Sequence, residues 1–318
     1  MNKRNIYTKN DAGLTFLLCV LLPQIVGTIF VFGLVFVASL LNTNYESLTK
    51  HPLVLLCLTC VAQFVFVGIF FIFNRTKKIN YMQACKVNFN VGWKNILISI
   101  LIGLICLFGF NNLINSFDHI LSLLGHTSAP MPLPLNSFSW LVANLVFLAV
   151  LPAIFEELLF RGIILNGLKQ YGKVKAVIFS ALLFALMHGS IDQTLYPILL
   201  GIVFGFVAIK TNSVVPTIIM HFINNSTVII INYISTITSS VQTLLIDWKY
   251  IVVSIVIAIA SAVVIYFLTK LLKPKANKIQ SYNESDLQIL ENSKNKPNTM
   301  LFFAVAVASV IWLLSLIA

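Results

Sequence analysis

Long, nearly unbroken apolar runs constrain this chain more than any other feature. They cover Gly13–Leu41, Pro52–Phe73, Ile96–Leu113, Ser139–Phe155, Ala176–His188, Leu195–Ile209, Val214–Ile234, Tyr250–Leu272 and Met300–Ile317. A helix that crosses a bilayer needs about 20 mainly apolar residues, because in lipid its backbone must satisfy its own hydrogen bonds. Hydrophobic residues make up 58% of the chain and charged residues 10%, where soluble domains carry about half and about a quarter. The expected fold class is therefore all-α, a polytopic α-helical membrane protein. The first run follows a basic start but is too long for a cleaved signal peptide, so it reads as an uncleaved span.

The placement of Lys and Arg then orients the spans. With the N-terminus in the cytoplasm, 19 of the 21 cationic residues fall on the cytoplasmic side, counting Arg161, for which a place within the membrane is the alternative, and only Lys50 and Lys249 lie outside. The net charge of +11 is thus explained by topology and by contact with anionic inner-leaflet lipid, and no nucleic-acid partner is implied. Cys19, Cys57, Cys60 and Cys106 lie in apolar runs and Cys85 in a cytoplasmic connection. Cys57 and Cys60 form a C-x-x-C with no second pair or local histidine, which reads as buried, inert thiols.

The chain divides into a membrane domain over residues 1–272, a polar cytoplasmic linker over 273–299 and a last span over 300–318, which looks like an appended anchor. Asn115–Ser137 is nearly charge-free and carries Ala129-Pro130-Met131-Pro132-Leu133-Pro134, expected to form an external non-helical loop. Gly201 and Gly205 have the spacing that lets two membrane helices pack closely.

Three runs carry polar residues in apolar surroundings. In Phe155-Glu156-Glu157-Leu158-Leu159-Phe160-Arg161, Glu157 and Arg161 are four apart and can pair on one helical face. Glu156, turned about 100° away, needs a partner from another helix. Phe184-Ala185-Leu186-Met187-His188 ends one run on a histidine, and His221-Phe222-Ile223-Asn224-Asn225 places His221 and Asn225 on one face. Charged groups at bilayer depth cost at least a few kcal/mol, which marks them as functional candidates. Each motif alone is also explained by packing: a buried ion pair, a helix-end histidine, an interhelical hydrogen bond. Counting about 1.5 Å per residue from the flanking lysines, Glu156, His188 and His221 all lie roughly 16–20 Å deep, so one cavity can hold them with Asn225.

Together these motifs resemble the CAAX-protease and bacteriocin-processing family (CPBP, or ABI) of intramembrane proteases, over about Trp140–Ile234. The resemblance implies an eight-helix CAAX-protease-like core with an extra C-terminal span, and an intramembrane glutamic endopeptidase that cleaves a membrane-associated peptide or protein. It assigns Glu156 as general base, holding a water with His188. It assigns His221 and Asn225 to the oxyanion, with Glu157, Arg161 and Phe184 in support. No cofactor is expected. Two histidines and a glutamate are also a zinc ligand set, so a metalloprotease stays as the alternative, although no H-E-x-x-H is present. Two other classes remain: a non-catalytic scaffold or bacteriocin immunity protein on the same fold, and a proton-coupled transporter. The Asn-, Lys- and Ile-rich composition points to a bacterial cell membrane as the setting.

Overall fold

The computed structural model describes residues 3–126, 133–238, 246–274, 284–294 and 297–316, apart from the side chain of Ser47. Ten helices make up the architecture: α1 (Lys9–Leu40), α2 (Pro52–Thr76), α3 (Trp93–Leu123), α4 (Phe138–Tyr171), α5 (Lys173–Met187), α6 (Leu195–Thr211), α7 (Val215–Ile237), α8 (Trp248–Leu271), α9 (Glu284–Lys294) and α10 (Thr299–Leu314). Single turns at Tyr45–Thr49 and Tyr81–Ala84 add to them. No strand occurs among the described residues; one bridge joins Arg4 to Ile79. The protein is an all-α, multi-pass membrane protein. Helices α1, α2, α3, α4, α7 and α8 are each long and apolar enough to cross a membrane.

The helices start where local chemistry favours it. Thr8 caps α1 in a capping box with Asp11, and Asp247 caps α8 by accepting from the Tyr250 N–H. Pro52 and Pro216 sit in the first turns of α2 and α7, where a missing N–H costs nothing. Helix α5 stops at Met187, and Gly189 follows at φ +65°, a left-handed conformation open to glycine at little cost. With 15 residues, α5 rises about 22 Å, short of a full crossing of about 30 Å. Its last residues therefore end inside the bundle instead of beyond it.

Two large apolar clusters form most of the core, beside a small third one of Leu135, Ala149 and Ile229. One joins Phe16 of α1, Phe70 of α2, Leu159 and Phe160 of α4, Val177 of α5, and Ala304 and Ala308 of α10. The other joins Ile102 and Cys106 of α3, Phe204 of α6, Met220 of α7 and Ala258 of α8. The glycine pair acts as expected: a Cβ on Gly201 would lie 2.8 Å from the Ala181 Cα, and one on Gly205 would lie 2.9 Å from Val177. These contacts let α6 lie directly on α5. Large apolar side chains such as Phe32, Phe36, Ile259 and Phe302 are exposed around the outside, where lipid is the solvent.

The C-terminal segments differ from the expectation of a free linker and an appended anchor. Residues 275–283 and 295–296 of the linker lie outside the described residues, but 284–294 form α9. Asp286 of that helix is buried and accepts from the Asn5 N–H at 3.4 Å. Helix α10 packs on α1 and α5 as part of the first core cluster. A Cβ on Gly13 would lie 2.7 Å from the Leu301 backbone nitrogen, and Asn298 Nδ2 donates to the Lys9 carbonyl at 2.8 Å. Apolar sequence alone marks a run for the membrane without saying what it packs on. The proline-rich loop falls largely on 127–132, outside the described residues.

The basic connections gather on one face. Asn80 N–H donates to the Arg4 carbonyl, the Val214 N–H to the Lys86 carbonyl, and Lys9 Nζ to the Lys294 carbonyl. At the opposite end, His126 Nε2 lies 3.7 Å from Asp192 Oδ1, joining the end of α3 to the connection after α5.

Candidate active site

Helix α4 carries the two adjacent glutamates, and it is not a regular α-helix. It is wound as π-helix over Leu145–Val150 and again over Leu158–Ile164, a winding often found at functional sites. Pro152 accounts for part of the first irregularity. It has no N–H to give the Leu148 carbonyl one turn earlier, and Asn225 Nδ2 from α7 donates to that oxygen instead, at 2.9 Å. The proline thus opens an acceptor that ties α7 to α4 beside the glutamates.

Glu157 is held through one carboxylate oxygen, Oε1, while its Oε2 is buried with no hydrogen-bond partner among the described residues. Its side chain is wholly buried, Arg161 Nη1 donates to its Oε1 at 2.7 Å, and His221 Nδ1 lies 3.1 Å from the same oxygen. Arg161, 1% exposed, lays its guanidinium over the Phe184 ring at 4.5 Å and near the Phe204 ring at 5.5 Å. Those aromatic faces offset part of the cost of burying Nε and Nη2, neither of which has a hydrogen-bond partner. Removing one member of such a buried pair typically costs about 3–5 kcal/mol, because it strands the other.

Glu156 is the contrast. It is 7% exposed and has no hydrogen-bond partner among the described residues. His221 and His188, from α7 and the end of α5, lie within electrostatic reach of its carboxylate. The partners of this second carboxylate thus come from other helices.

The histidines are oriented from behind. His188 Nδ1 lies 2.8 Å from the Phe184 carbonyl, one of the acceptors left free at the end of α5. A carbonyl can only accept, so Nδ1 carries the proton and Nε2 is left as the free ring nitrogen. The same logic gives His221 an Nδ1–H directed at Glu157 and a free Nε2. The Phe184 ring packs edge-on against His188 at 5.0 Å and His221 at 6.2 Å, so one aromatic side chain buttresses both imidazoles and the arginine. Asn225 keeps one Nδ2 hydrogen beyond Leu148, and its Oδ1 accepts from Asn224 Nδ2 at 3.1 Å.

All seven residues singled out in the sequence meet around this junction of α4, α5 and α7. Two were missed. Thr217, one turn before His221 and wholly buried, lies beside Glu157. Tyr196 of α6 donates its hydroxyl to Asn224 Oδ1 and so braces the Asn224-Asn225 pair. Thr217 was legible as the i−4 neighbour of His221; nothing in the sequence marks Tyr196. Glu156, His188 and His221 are the donors a zinc ion would require, but no three His, Cys, Asp or Glu side chains among the described residues are grouped to hold a metal.

No curated protein and no solved structure matches the chain. Residues 138–227 match the family described as Rce1-like, type II CAAX prenyl endopeptidase. That segment runs from the start of α4 to Thr227 in α7 and contains every candidate residue from Glu156 to Asn225. The match is to the CAAX-protease family that the motifs resemble.

Proposed function

We propose that this protein is an intramembrane endopeptidase that hydrolyses a peptide bond of a membrane-associated peptide or protein with a water activated by Glu156. The observation that carries this reading is the unequal treatment of two adjacent carboxylates. Glu157 is locked by Arg161 and His221, whereas Glu156 is buried, unbonded and faced by two histidines. A buried carboxylate without a structural partner is costly to keep, and general-base work is a chemical reason to keep it.

The tautomers fit the reaction. A water between Glu156 and His188 gives one hydrogen to the carboxylate and one to Nε2, leaving an oxygen lone pair to attack the scissile carbonyl. As the C–O bond forms, Glu156 takes the proton and the carbonyl oxygen becomes an oxyanion. His221, once its free Nε2 has taken up a second proton from solvent, offers that N–H to the oxyanion, and Asn225 offers its remaining Nδ2 hydrogen; one such donor is worth about 10²–10³ in rate. Glu156 then hands its proton to the leaving nitrogen, the C–N bond breaks, and a carboxyl and an amine result. Arg161 and Glu157 hold His221 in place throughout.

We take the reaction to be metal-free, the N-terminus and the basic face to be cytoplasmic, and the membrane to be the cell membrane of a bacterium. The substrate class is a membrane-associated peptide, such as a precursor released by a single cut. The test is cleavage of a panel of lipidated and unlipidated membrane peptides by purified protein, wild type beside Glu156→Ala, with and without a strong chelator. Cleavage by the wild type that survives chelator and falls about 10²–10⁴-fold in the variant is expected. Undiminished cleavage by a folded Glu156→Ala protein contradicts the mechanism, and loss with chelator makes it a metalloprotease.

A further inference from the structure

On the basic face, away from Glu156, the N-terminal segment, the connection between α2 and α3 and the last turns of α4 enclose a cavity of about 250 Å³. Lys86, Lys169, Asn5, Asn166 and Gln170 line it, and Leu290 of α9 closes one side. The two lysines are half-buried and lie within each other's electrostatic reach, with Lys173 acting on both. Neither bonds a carboxylate among the described residues. Lys86 Nζ donates to Asn212 Oδ1, and Lys169 Nζ donates to Asn166 Oδ1 at 2.7 Å; both acceptors are neutral. On the same face Asp11 is paired with Arg4, and Asp286 accepts from the Asn5 N–H through Oδ1 while its Oδ2 is buried without a hydrogen-bond partner among the described residues.

Each ammonium has three donors, so beyond the bonds to Asn212 and Asn166 and the contact between the two lysines, N–H groups remain for a ligand. Two like charges drawn out of water repel one another and favour an anion that meets both. Burial also holds the Lys86 ammonium below the usual lysine range. Gln170 adds a single acceptor, its Oε1 buried with no hydrogen-bond partner, which suits a protonated phosphate oxygen or a headgroup hydroxyl.

We propose that this cavity binds a phosphate-bearing anion through Lys86 and Lys169, with the amides of Asn5, Asn166 and Gln170 around it. The chemistry is shared by a soluble phosphate compound and by the headgroup of an anionic lipid. Asn166 gives the site a route to the catalytic helix. While its Oδ1 accepts from Lys169, its Nδ2 donates to the carbonyls of Arg161 and Gly162, at 3.1 and 2.7 Å. The occupant of the cavity therefore bears on the π-helical turn that carries Arg161. The proposal stands whether or not the peptidase reading does.

The experiment measures binding to purified full-length protein with two probes. Inorganic phosphate is titrated against chloride at matched ionic strength and followed by thermal shift. Phosphatidylglycerol is titrated into phosphatidylcholine nanodiscs and followed by native mass spectrometry. At least one probe is expected to bind saturably, with Lys86→Gln and Lys169→Gln each weakening it about tenfold and Lys175→Gln, at an exposed position, leaving it unchanged. Should Lys169→Gln fail to fold, Lys86→Gln set beside a charge-keeping Lys86→Arg carries the comparison. Phosphate binding alone identifies a soluble ligand, and lipid binding alone a headgroup. Equal weakening by all three Gln variants means a diffuse basic surface and overturns the proposal, as does the absence of saturable binding with both probes.

Discussion

Single side chains in this protein are assigned by what they are bonded to, more than by what they are. Glu156 and Glu157 are neighbours of the same chemistry, and only their partners separate a structural carboxylate from a free one. Half of that distinction was legible beforehand. The i, i+4 spacing gives the Glu157–Arg161 pair, because side chains four apart share a helical face. It does not give His221 as the third member, nor the use of Asn225 on the Leu148 carbonyl, since both depend on how separate helices pack. Cys85 is a second case. Burial pushes its thiol up to about 12, against the opposing pull of the Tyr7 hydroxyl, whose oxygen lies 3.1 Å from Sγ. A folded-state value above the unfolded one favours the fold below about pH 9, and that contribution is lost as pH rises toward 12. Cys85 should therefore react with a thiol reagent at pH 8 only as fast as the protein unfolds. Reaction at the rate of a free thiol shows the site to be open.

Helices here meet through glycine at defined points. The wider pattern of apolar runs predicts how many segments enter the membrane, and the glycine pair predicts a close helix contact, whose partner, α5, only the structure supplies. What sequence pattern misses is irregular winding. Depth counted at about 1.5 Å per residue holds for a continuous α-helix, and α4 is π-helical over two stretches. Propensity rules do not show a π-turn, apart from the hint that Pro152 disturbs the turn before it. Nor does the polar composition of 284–294 reveal that this segment docks as a helix. The close approaches yield a direct test. Gly201→Val pushes a side chain into Ala181, and Gly13→Leu pushes one into the start of α10. Each should lower stability by about 1–3 kcal/mol in thermal unfolding. Gly27, with nothing within 4 Å of its would-be Cβ, should tolerate Ala without loss. Equal effects at all three positions would show that these contacts do not hold the helices together.

At the scale of the molecule, charge and hydrogen bonding agree. The segments that carry nearly all the cations are tied to one another: the N-terminus to the α2–α3 connection, that connection to the turn before α7, and α1 to the end of α9. Side-of-membrane counting predicts this grouping because each such loop stays on one side. It also separates two regions with different tasks, a basic cavity at one face and the glutamates farther along α4. In a background with all native cysteines replaced by alanine, a membrane-impermeant thiol reagent applied to intact cells should label Lys50→Cys and not Lys77→Cys. Labelling of Lys77→Cys alone would invert the orientation.

The division between the two glutamates is the central claim, and one paired measurement addresses it: cleavage rate and unfolding midpoint for Glu156→Gln and Glu157→Gln in the same purified preparation. Glu156→Gln should abolish nearly all cleavage while unfolding close to the wild type. Glu157→Gln should be destabilised by about 3–5 kcal/mol, since it strands the buried Arg161. A stable Glu157→Gln protein beside a Glu156→Gln protein that unfolds early or still cleaves would reverse the roles of the two carboxylates and contradict this account.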